Sequence, residues 1–431
     1  MNKTATVKIK KLDLTGAGIT DKTINGKPIY VWGALPDEEV VCRIVKSKKN
    51  RYEAVAEKIL TASTKRQNPK EDHYLACSVF QILNYTDQIK LKKSLAESEL
   101  KRQLGWQNSV DLLTADNIYY YRNKVEYSFT TLDNSLSFAY HNRGQKEKLP
   151  VANCILLDQS LQKKLNNLLE FLNQLNLPKN IYKTVLARCD QSNNVIAGLF
   201  LYHSNDEIKK SFEQINLAKL GLKGFGVYLS PAKSPASVVE KTIFESGSLE
   251  LENRLENKQF RFNLFSFFQN NILAFTRVLK DIKKFVSKGQ VVLDFYSGVG
   301  TIGLSIADKA EKVVLVESNE SAYKFSQVNI KLNKLKNIKS VLSTDRKARF
   351  LIKPEHTLIV DPARSGLNPK VAKHIAESKP KKIIYLSCNL KTQISDIKQF
   401  ICHYNIGFIR LYDLFPNTPH LESLIVLKRK S

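Results

Sequence analysis

The chain has 431 residues, 43% of them hydrophobic and 25% charged, which is a globular composition long enough for two or three cores. Lys and Arg number 67 against 41 Asp and Glu, a formal charge of +26. Such an excess points to a polyanionic partner, nucleic acid first, because each neutralised phosphate releases counterions.

No run of 18 apolar residues and no basic amphipathic anchor is present, so no membrane partner is expected. The start, MNKTATVKIKKLDLTG, lacks a signal-peptide core. The expected location is the cytoplasm and the expected state a monomer. Six cysteines (Cys42, Cys77, Cys154, Cys189, Cys388 and Cys402) are scattered with no CxxC pair, which disfavours a disulfide or zinc framework. No metal site is expected.

Residues 1–60 read as a small β domain. ATVKIKKLDL alternates, TGAG turns, KPIYVWGAL and EVVCRIVKSKK are strands, and NRYEAVAEKIL closes the unit. Five short strands with basic turns suit an OB-like barrel, with Lys46, Lys48, Lys49 and Arg51 as a basic run at its end. Residues 61–260 read as a central, mostly antiparallel α+β region. It opens with a polar loop over 61–80 and a helix over 88–104 placed to pack on the catalytic domain. Further helical patterns lie near 160–175 and 205–218.

From 261 to 431 strand-like runs alternate with helical ones: VVLDF, 300–309, KVVLVE, 319–333, TLIVD, 369–377, KKIIYLSC and 391–404. This is the pattern of a doubly wound, Rossmann-like α/β sheet. The last runs, GFIRLYDLF and LESLIVLKR, lack a helix between them and are expected to form an antiparallel hairpin at the sheet edge.

Gly298, Gly300 and Gly303 have GxGxxG spacing after a strand and into a helix. Glycine permits close backbone approach, and a helix start offers free N–H groups. The spacing alone fits either a nicotinamide dinucleotide or S-adenosylmethionine. Asp294 favours the second, since a carboxylate there repels a pyrophosphate but orients a cationic amino-acid group. Glu317, at the next strand tip, is placed for ribose hydroxyls, and Asp345 for the adenine amine. VDPARSG (360–366), LSCN (386–389) and DLFPNTPHLE (413–422) fall at later strand ends, where ligands of open α/β sheets bind. Cys388 therefore faces the crevice, with Asp361 or Glu422 as neighbours, although cysteine at a strand end is also a common core residue.

With SFFQNN (266–271), LDFYSGVGTIGL, VDPARSG, YLSCN and DLFPNTPHLE in this order, the chain resembles the RNA uracil-C5 methyltransferases, which make 5-methyluridine. Residues 1–60 resemble the TRAM module, and YYYRNKVEYSF and FAYHNRGQ resemble that family's central motifs. The resemblance implies S-adenosylmethionine as cofactor, held by Gln269, Tyr296, Gly298, Gly300, Thr301, Glu317, Asp345 and Asp361. It implies Cys388 as nucleophile at uracil C6, Glu422 as the base that removes the C5 proton, and Arg364 as a support for phosphate or enolate. Phe267 and Phe268 are expected as stacking walls for the base, and His420 as a satisfied loop histidine. TRAM and the DPAR form lean toward 23S rRNA as substrate, with the transfer-RNA T loop as alternative.

Many members carry a [4Fe–4S] cluster on four cysteines. Only Cys77 and Cys154 remain near those positions, and two thiols cannot hold a cubane, so no cluster is expected. A non-catalytic RNA-binding factor is a rival that intact Cys388, Glu422 and Gln269 oppose. A nicotinamide oxidoreductase is another, opposed by Asp294.

Overall fold

The computed structural model describes residues 3–143, 147–234 and 237–431; Gly144 and Gln145, the end of FAYHNRGQ, lie outside them. Contacts group the chain into two compact units: Met1–Lys92, Asn117–Leu249 and Pro416–Pro419 in one, Lys93–Asp116, Glu250–Phe415 and His420–Ser431 in the other.

The first unit opens with strands β1 (Thr4–Leu12), β2 (Gly18–Ile24), β3 (Lys27–Trp32), β4 (Glu39–Ser47) and β5 (Tyr52–Thr61). They close into a barrel of order β1-β2-β3-β5-β4. Alternation decides the inside: Val7 and Ile9 of β1 and Val40, Cys42 and Ile44 of β4 are buried. The basic run at the β4–β5 turn is partly neutralised. Glu53 binds Lys48 Nζ at 2.5 Å and Arg51 Nη2 at 2.8 Å, and Arg51 lies over the Tyr30 ring.

Immediately before β4, Glu38 is fully buried. Arg66 donates to it twice, from Nε at 2.5 Å and Nη2 at 2.8 Å, and the Leu35 and Ser63 amides donate at 2.7 and 3.1 Å. Residues 61–80 are not wholly loop. Tyr74–Cys77 forms one helical turn and Val79–Ile82 a 3-10 turn, both too short for periodicity to reveal.

The next helix, Tyr85–Leu104, contributes residues to both units, and Ala96 and Leu100 lie in the core of the second. After it come β6 (Asp111–Leu113), β7 (Lys124–Leu132), β8 (Ser135–His141), β9 (Lys148–Pro150), β10 (Tyr182–Cys189), β11 (Val195–Leu201), β12 (Gly224–Leu229) and β13 (Lys241–Gly247). Among the described residues the central sheet has the order β13-β12-β11-β10-β7-β8-β9, antiparallel except at β11–β12. Every residue of β10 and β11 is buried, as expected of central strands. The helix Gln159–Gln174 turns Leu161, Leu165, Leu168 and Leu172 inward, and Asp158 caps it by accepting from the Leu161 amide. The helical pattern at 205–218 is two helices, because Asn216 starts a new one by capping Lys219.

The long segment of the second unit, from Glu250 on, opens with a hairpin of β14 (Glu250–Leu255) and β15 (Lys258–Asn263). Two asparagines of the helix Glu320–Leu332 and its cap hold it: Asn329 pairs with the Arg261 backbone at 2.7 and 3.0 Å, and Asn333 with that of Gln259. The main sheet contains β16 (Val291–Phe295), β17 (Lys312–Glu317), β18 (Ile338–Leu342), β19 (Thr357–Val360), β20 (Lys382–Ser387), β21 (Tyr404–Tyr412) and β22 (Glu422–Arg429). Its order is β18-β17-β16-β19-β20-β22-β21-β6. Strand order reverses between β16 and β19, the place where such sheets open a crevice. The C-terminal hairpin is antiparallel as expected, but it is not the edge. Short β6 adds parallel to β21, pairing Asp111 with Arg410. The helix expected over 391–404 ends at Ile397, with a 3-10 turn at Ile401–His403. Among the described residues no helix is long and apolar enough to cross a membrane.

Removing Glu38 leaves Arg66 and two amides without their shared acceptor. Glu38→Ala is expected to cost about 3–5 kcal/mol, the usual effect of breaking a buried ion pair. A thermal-unfolding transition unchanged from that of the parent would contradict this.

Candidate active site

The turn after β16 is built for close approach. Tyr296, Gly298 and Gly300 all have positive φ, at 62°, 55° and 91°. Gly300 caps the helix Thr301–Ile306, and a Cβ there would lie 2.4 Å from Leu304 Cδ1. Asp294, fully buried at the end of β16, accepts the Gly303 amide on Oδ2 at 2.9 Å. Its Oδ1 makes no hydrogen bond among the described residues, nor does the buried Oγ of Ser297. Burial, reinforced by the charges of Asp361 and Glu317, pushes the Asp294 carboxyl up to about 8. A buried carboxyl with one unused oxygen is a receptor for a cation or donor.

Beside it, Tyr296, Glu317, Ser318, Ser343, Thr344 and Asp345 line a cavity of about 250 Å³. Glu317 Oε2 accepts the Gly298 amide at 2.8 Å, and Oε1 accepts those of Ser318 and Asn319, both at 2.7 Å. The carboxylate is thus locked against the glycine turn, with lone pairs to spare. Asp345 begins the short helix Asp345–Ala348 and accepts the Tyr296 hydroxyl on Oδ2 at 2.7 Å. Thr301 is buried at the start of its own helix. Asn329 donates to the Val299 carbonyl at 3.0 Å, tying this turn to the hairpin β14–β15.

The second half of the site follows from register. In the antiparallel ladder Ser387 of β20 faces Ser423 of β22, so one step further brings Cys388 level with Glu422. A buried network holds that register. Ser423 Oγ donates to Gln393 Oε1, and Gln393 Nε2 donates to the carbonyls of Tyr385 and Ser423 at 2.8 and 3.2 Å. In the parallel pair β19–β20, Val360 lies level with Tyr385, so Asp361 leaves the neighbouring strand at the same end. The 361–366 loop is tied to Cys388's own turn: Asn389 and Thr392 both donate to the Arg364 carbonyl, at 2.9 and 3.2 Å. Gly366 (φ 83°) makes this loop possible, since a Cβ would press on Asp396 Oδ2 at 2.5 Å.

These groups feel one another. Burial, with the Glu422 and Asp361 charges, pushes the Cys388 thiol up to about 11, opposed by Arg364. Burial and Asp361 drive Glu422 well above the carboxylate range, again opposed by Arg364. Burial lifts Asp361 to about 7. Arg364 Nη2 sits 3.1 and 3.2 Å from the ring nitrogens of His420, which packs edge-on to Phe415. His420 therefore has the partner expected of a structural loop histidine.

Gln269 is buried in the segment between β15 and the helix Ile272–Lys284. Asn271 caps that helix and donates from Nδ2 to the Leu414 carbonyl at 3.0 Å, linking SFFQNN to the C-terminal motif. The two phenylalanines part company. Phe268 is core, stacked on Phe262 at 4.2 Å, and cannot be a wall for a base. Phe267 is 62% exposed and is free to stack. Sequence reasoning missed Gln393, Ser423 and Asn329, polar residues inside helix or strand patterns. Their partners lie 30 or more residues away for Gln393–Ser423 and Asn329–Val299, so no local signal marks them.

Cys388 is expected to be a thiol near neutrality, with alkylation by iodoacetamide rising about tenfold per pH unit between 7 and 9. Peptide mapping by mass spectrometry reads this, and a plateau below pH 9 would contradict it. Asp294 makes a second pH prediction. Its folded pKa of about 8 exceeds the unfolded value of about 3.9, so its stabilising protonation is complete below about pH 4 and lost as pH rises through 8. Asp294→Asn should flatten the fall of melting temperature over that window; a parallel fall in parent and variant would exclude the assignment.

Comparison with known proteins now gives this geometry a family. A family profile described as tRNA (Uracil-5-)-methyltransferase matches residues 84–430. A curated protein of Mycoplasma mobile, described as an uncharacterized RNA methyltransferase, is 30% identical over 94% of this chain and 93% of its own. Another of that description, from Caldanaerobacter subterraneus subsp. tengcongensis, is 28% identical over 98% of both chains. The crystal structure of Pyrococcus abyssi tRNA (uracil-54, C5)-methyltransferase in complex with S-adenosyl-L-homocysteine superposes with a TM-score of 0.77. It is 25% identical and covers 98% of this chain and 100% of its own. The chain therefore belongs to the tRNA (uracil-5-)-methyltransferase family, S-adenosylmethionine-dependent enzymes that methylate uracil C5 in RNA.

Proposed function

We propose that this enzyme makes 5-methyluridine by covalent catalysis with Cys388 as nucleophile and Glu422 as base. The observation that carries this is the β20–β22 register, which sets a half-buried thiol level with a buried carboxyl. The residues present fit the cofactor. Asp294 has an unused buried oxygen, Ser297 an unused hydroxyl, and Glu317, Tyr296 and Asp345 enclose a nucleoside-sized cavity. Gly298, Gly300 and Thr301 form the turn after β16, and Gln269 and Asp361 complete the set we assign to binding. S-adenosylmethionine, when bound, supplies the methyl group that C5 accepts.

The chain's own residues do the rest. Cys388 loses its proton to solvent and its sulfur bonds to C6, sending the C5=C6 electron pair toward the C4 carbonyl as an enolate. Arg364 favours the ionised form of both Cys388 and Glu422 and is placed to steady that enolate. After methylation, Glu422 takes the C5 proton, the S–C6 bond breaks and the thiolate leaves. Phe267 offers a ring for a base that has left its stack.

For the substrate we propose 23S rRNA, on the TRAM-like front barrel and the DPAR form of the third motif. Transfer RNA is the second reading, favoured by the full-length likeness to the Pyrococcus abyssi enzyme. Nucleotide-resolution mapping of 5-methyluridine in a deletion strain separates the two. Complementation with Cys388→Ala is expected to restore no mark, and a mark restored by it would overturn the nucleophile. Glu422→Gln is expected to lower turnover about 10²- to 10⁴-fold and to accumulate a protein–RNA adduct on ordinary uridine, seen as a gel-shifted band resistant to denaturant.

A further inference from the structure

Far from the glycine turn in sequence, the first unit gathers Glu71, His73, Cys77 and Cys154. One ligand atom from each lies within 4.8 Å of all the others. We propose that these four residues are a tetrahedral site for a single zinc ion.

The donor set suits that ion. Two sulfurs, one imidazole nitrogen and one carboxylate oxygen match zinc's preference for Cys, His and Glu ligands. A tetrahedron with zinc–ligand bonds of about 2.0–2.3 Å has edges of about 3.3–3.8 Å, so the most widely spaced ligand atoms need to close by about 1 Å, within reach of side-chain rotation. His73 is 6% exposed, yet its Nε2 makes no hydrogen bond among the described residues, and Glu71 Oε2 stands 3.4 Å from it. His73 thus faces Glu71 and Cys154, and the four side chains converge on one point, as ligands of a common ion do.

The surroundings orient the ligands as outer partners of a metal site do. Glu71 Oε1 accepts the Ile155 amide at 2.5 Å and Oε2 accepts Gln81 Nε2 at 2.9 Å. Gln81, itself buried, also donates to Ser78 Oγ, which lies 3.1 Å from Cys77 Sγ. Tyr140 points its hydroxyl at Cys154 Sγ from 4.0 Å, and Arg122 reaches the Cys77 carbonyl at 3.4 Å. Two thiolates and a carboxylate around Zn²⁺ leave one net negative charge, which the Arg122 cation balances. A cavity lined by Glu71, His73, Cys154, Lys70 and Asn153 gives an entry path.

Scattered cysteines concealed this set in the sequence, because half of the ligands are not cysteines and Cys154 comes from a distant segment. The two thiols that cannot carry an iron–sulfur cubane suffice for a mononuclear ion once Glu71 and His73 join them.

Metal analysis of the full chain purified under reductant tests this. The expected result is one zinc per chain, with chelator-stripped protein taking up one Co²⁺ that shows thiolate charge-transfer and intense tetrahedral d–d absorption. Cys154→Ser is expected to abolish both. Gln81→Ala, which leaves all four ligands in place, is expected to keep the spectrum and weaken Co²⁺ binding about 10- to 100-fold. Protein without stoichiometric zinc that takes up no Co²⁺ would overturn the proposal. So would iron with inorganic sulfide, a Cys77–Cys154 disulfide, or a weak octahedral Co²⁺ spectrum.

Discussion

The antiparallel pairing of β20 with β22 is the constraint on which the catalytic unit depends. A slip of one residue turns every side chain of a strand to the opposite face. Here it would bury the wrong residue beside Cys388 and send Glu422 away from it. The pairing is secured in two ways. Ile383–Leu386 and Leu424–Leu427 are buried on both strands, so a slip gains no hydrophobic burial to replace what it loses. Gln393 and Ser423 then join the strands and the following helix through side-chain hydrogen bonds that only this register satisfies.

A second theme is carboxyls wholly or partly withdrawn from water, Asp294 and Glu422 buried and Asp361 half-buried, with little cationic compensation. Asp294, Asp361 and Glu422 are all raised, burial being the first cause for each. Arg364 is the cation that faces Glu422 and Cys388, and it is exposed and held on a loop by Asn389 and Thr392. Isolated buried carboxylates are costly, so such a site gains most from a positively charged ligand. A sulfonium cofactor bearing an ammonium group meets that need, which makes electrostatics and the proposed chemistry point the same way.

Polar burial is handled in two ways within the chain. In the barrel, Glu38 is buried but answered by Arg66 and two amides, a closed arrangement with a structural purpose. At the glycine turn, Asp294 Oδ1 and Ser297 Oγ are buried with no hydrogen bond among the described residues, and in the Glu71–Cys154 cluster four ligand atoms crowd within 4.8 Å of one another. The first arrangement is closed on itself, while the other two leave room for a ligand to complete them.

Much of this was legible locally. The change from alternating strands to strand–helix repeats after residue 261 identifies the α/β class, because each period is a property of neighbouring residues. Turns such as 297–300 and the loop at 361–366 declare themselves through glycine, and strand-end chemistry follows from where apolar runs stop. Other features had no local trace. Phe267 and Phe268 are adjacent and alike, and only packing against Phe262 makes one core and the other exposed. The three residues of β6 carry no period and become a strand only because β21 offers an edge. The distance from Cys388 to its acid partner in sequence, and from Cys77 to Cys154, hides both pairs. Their meeting depends on long-range register and packing, whose energy is shared among many residues and written in no single stretch of chain.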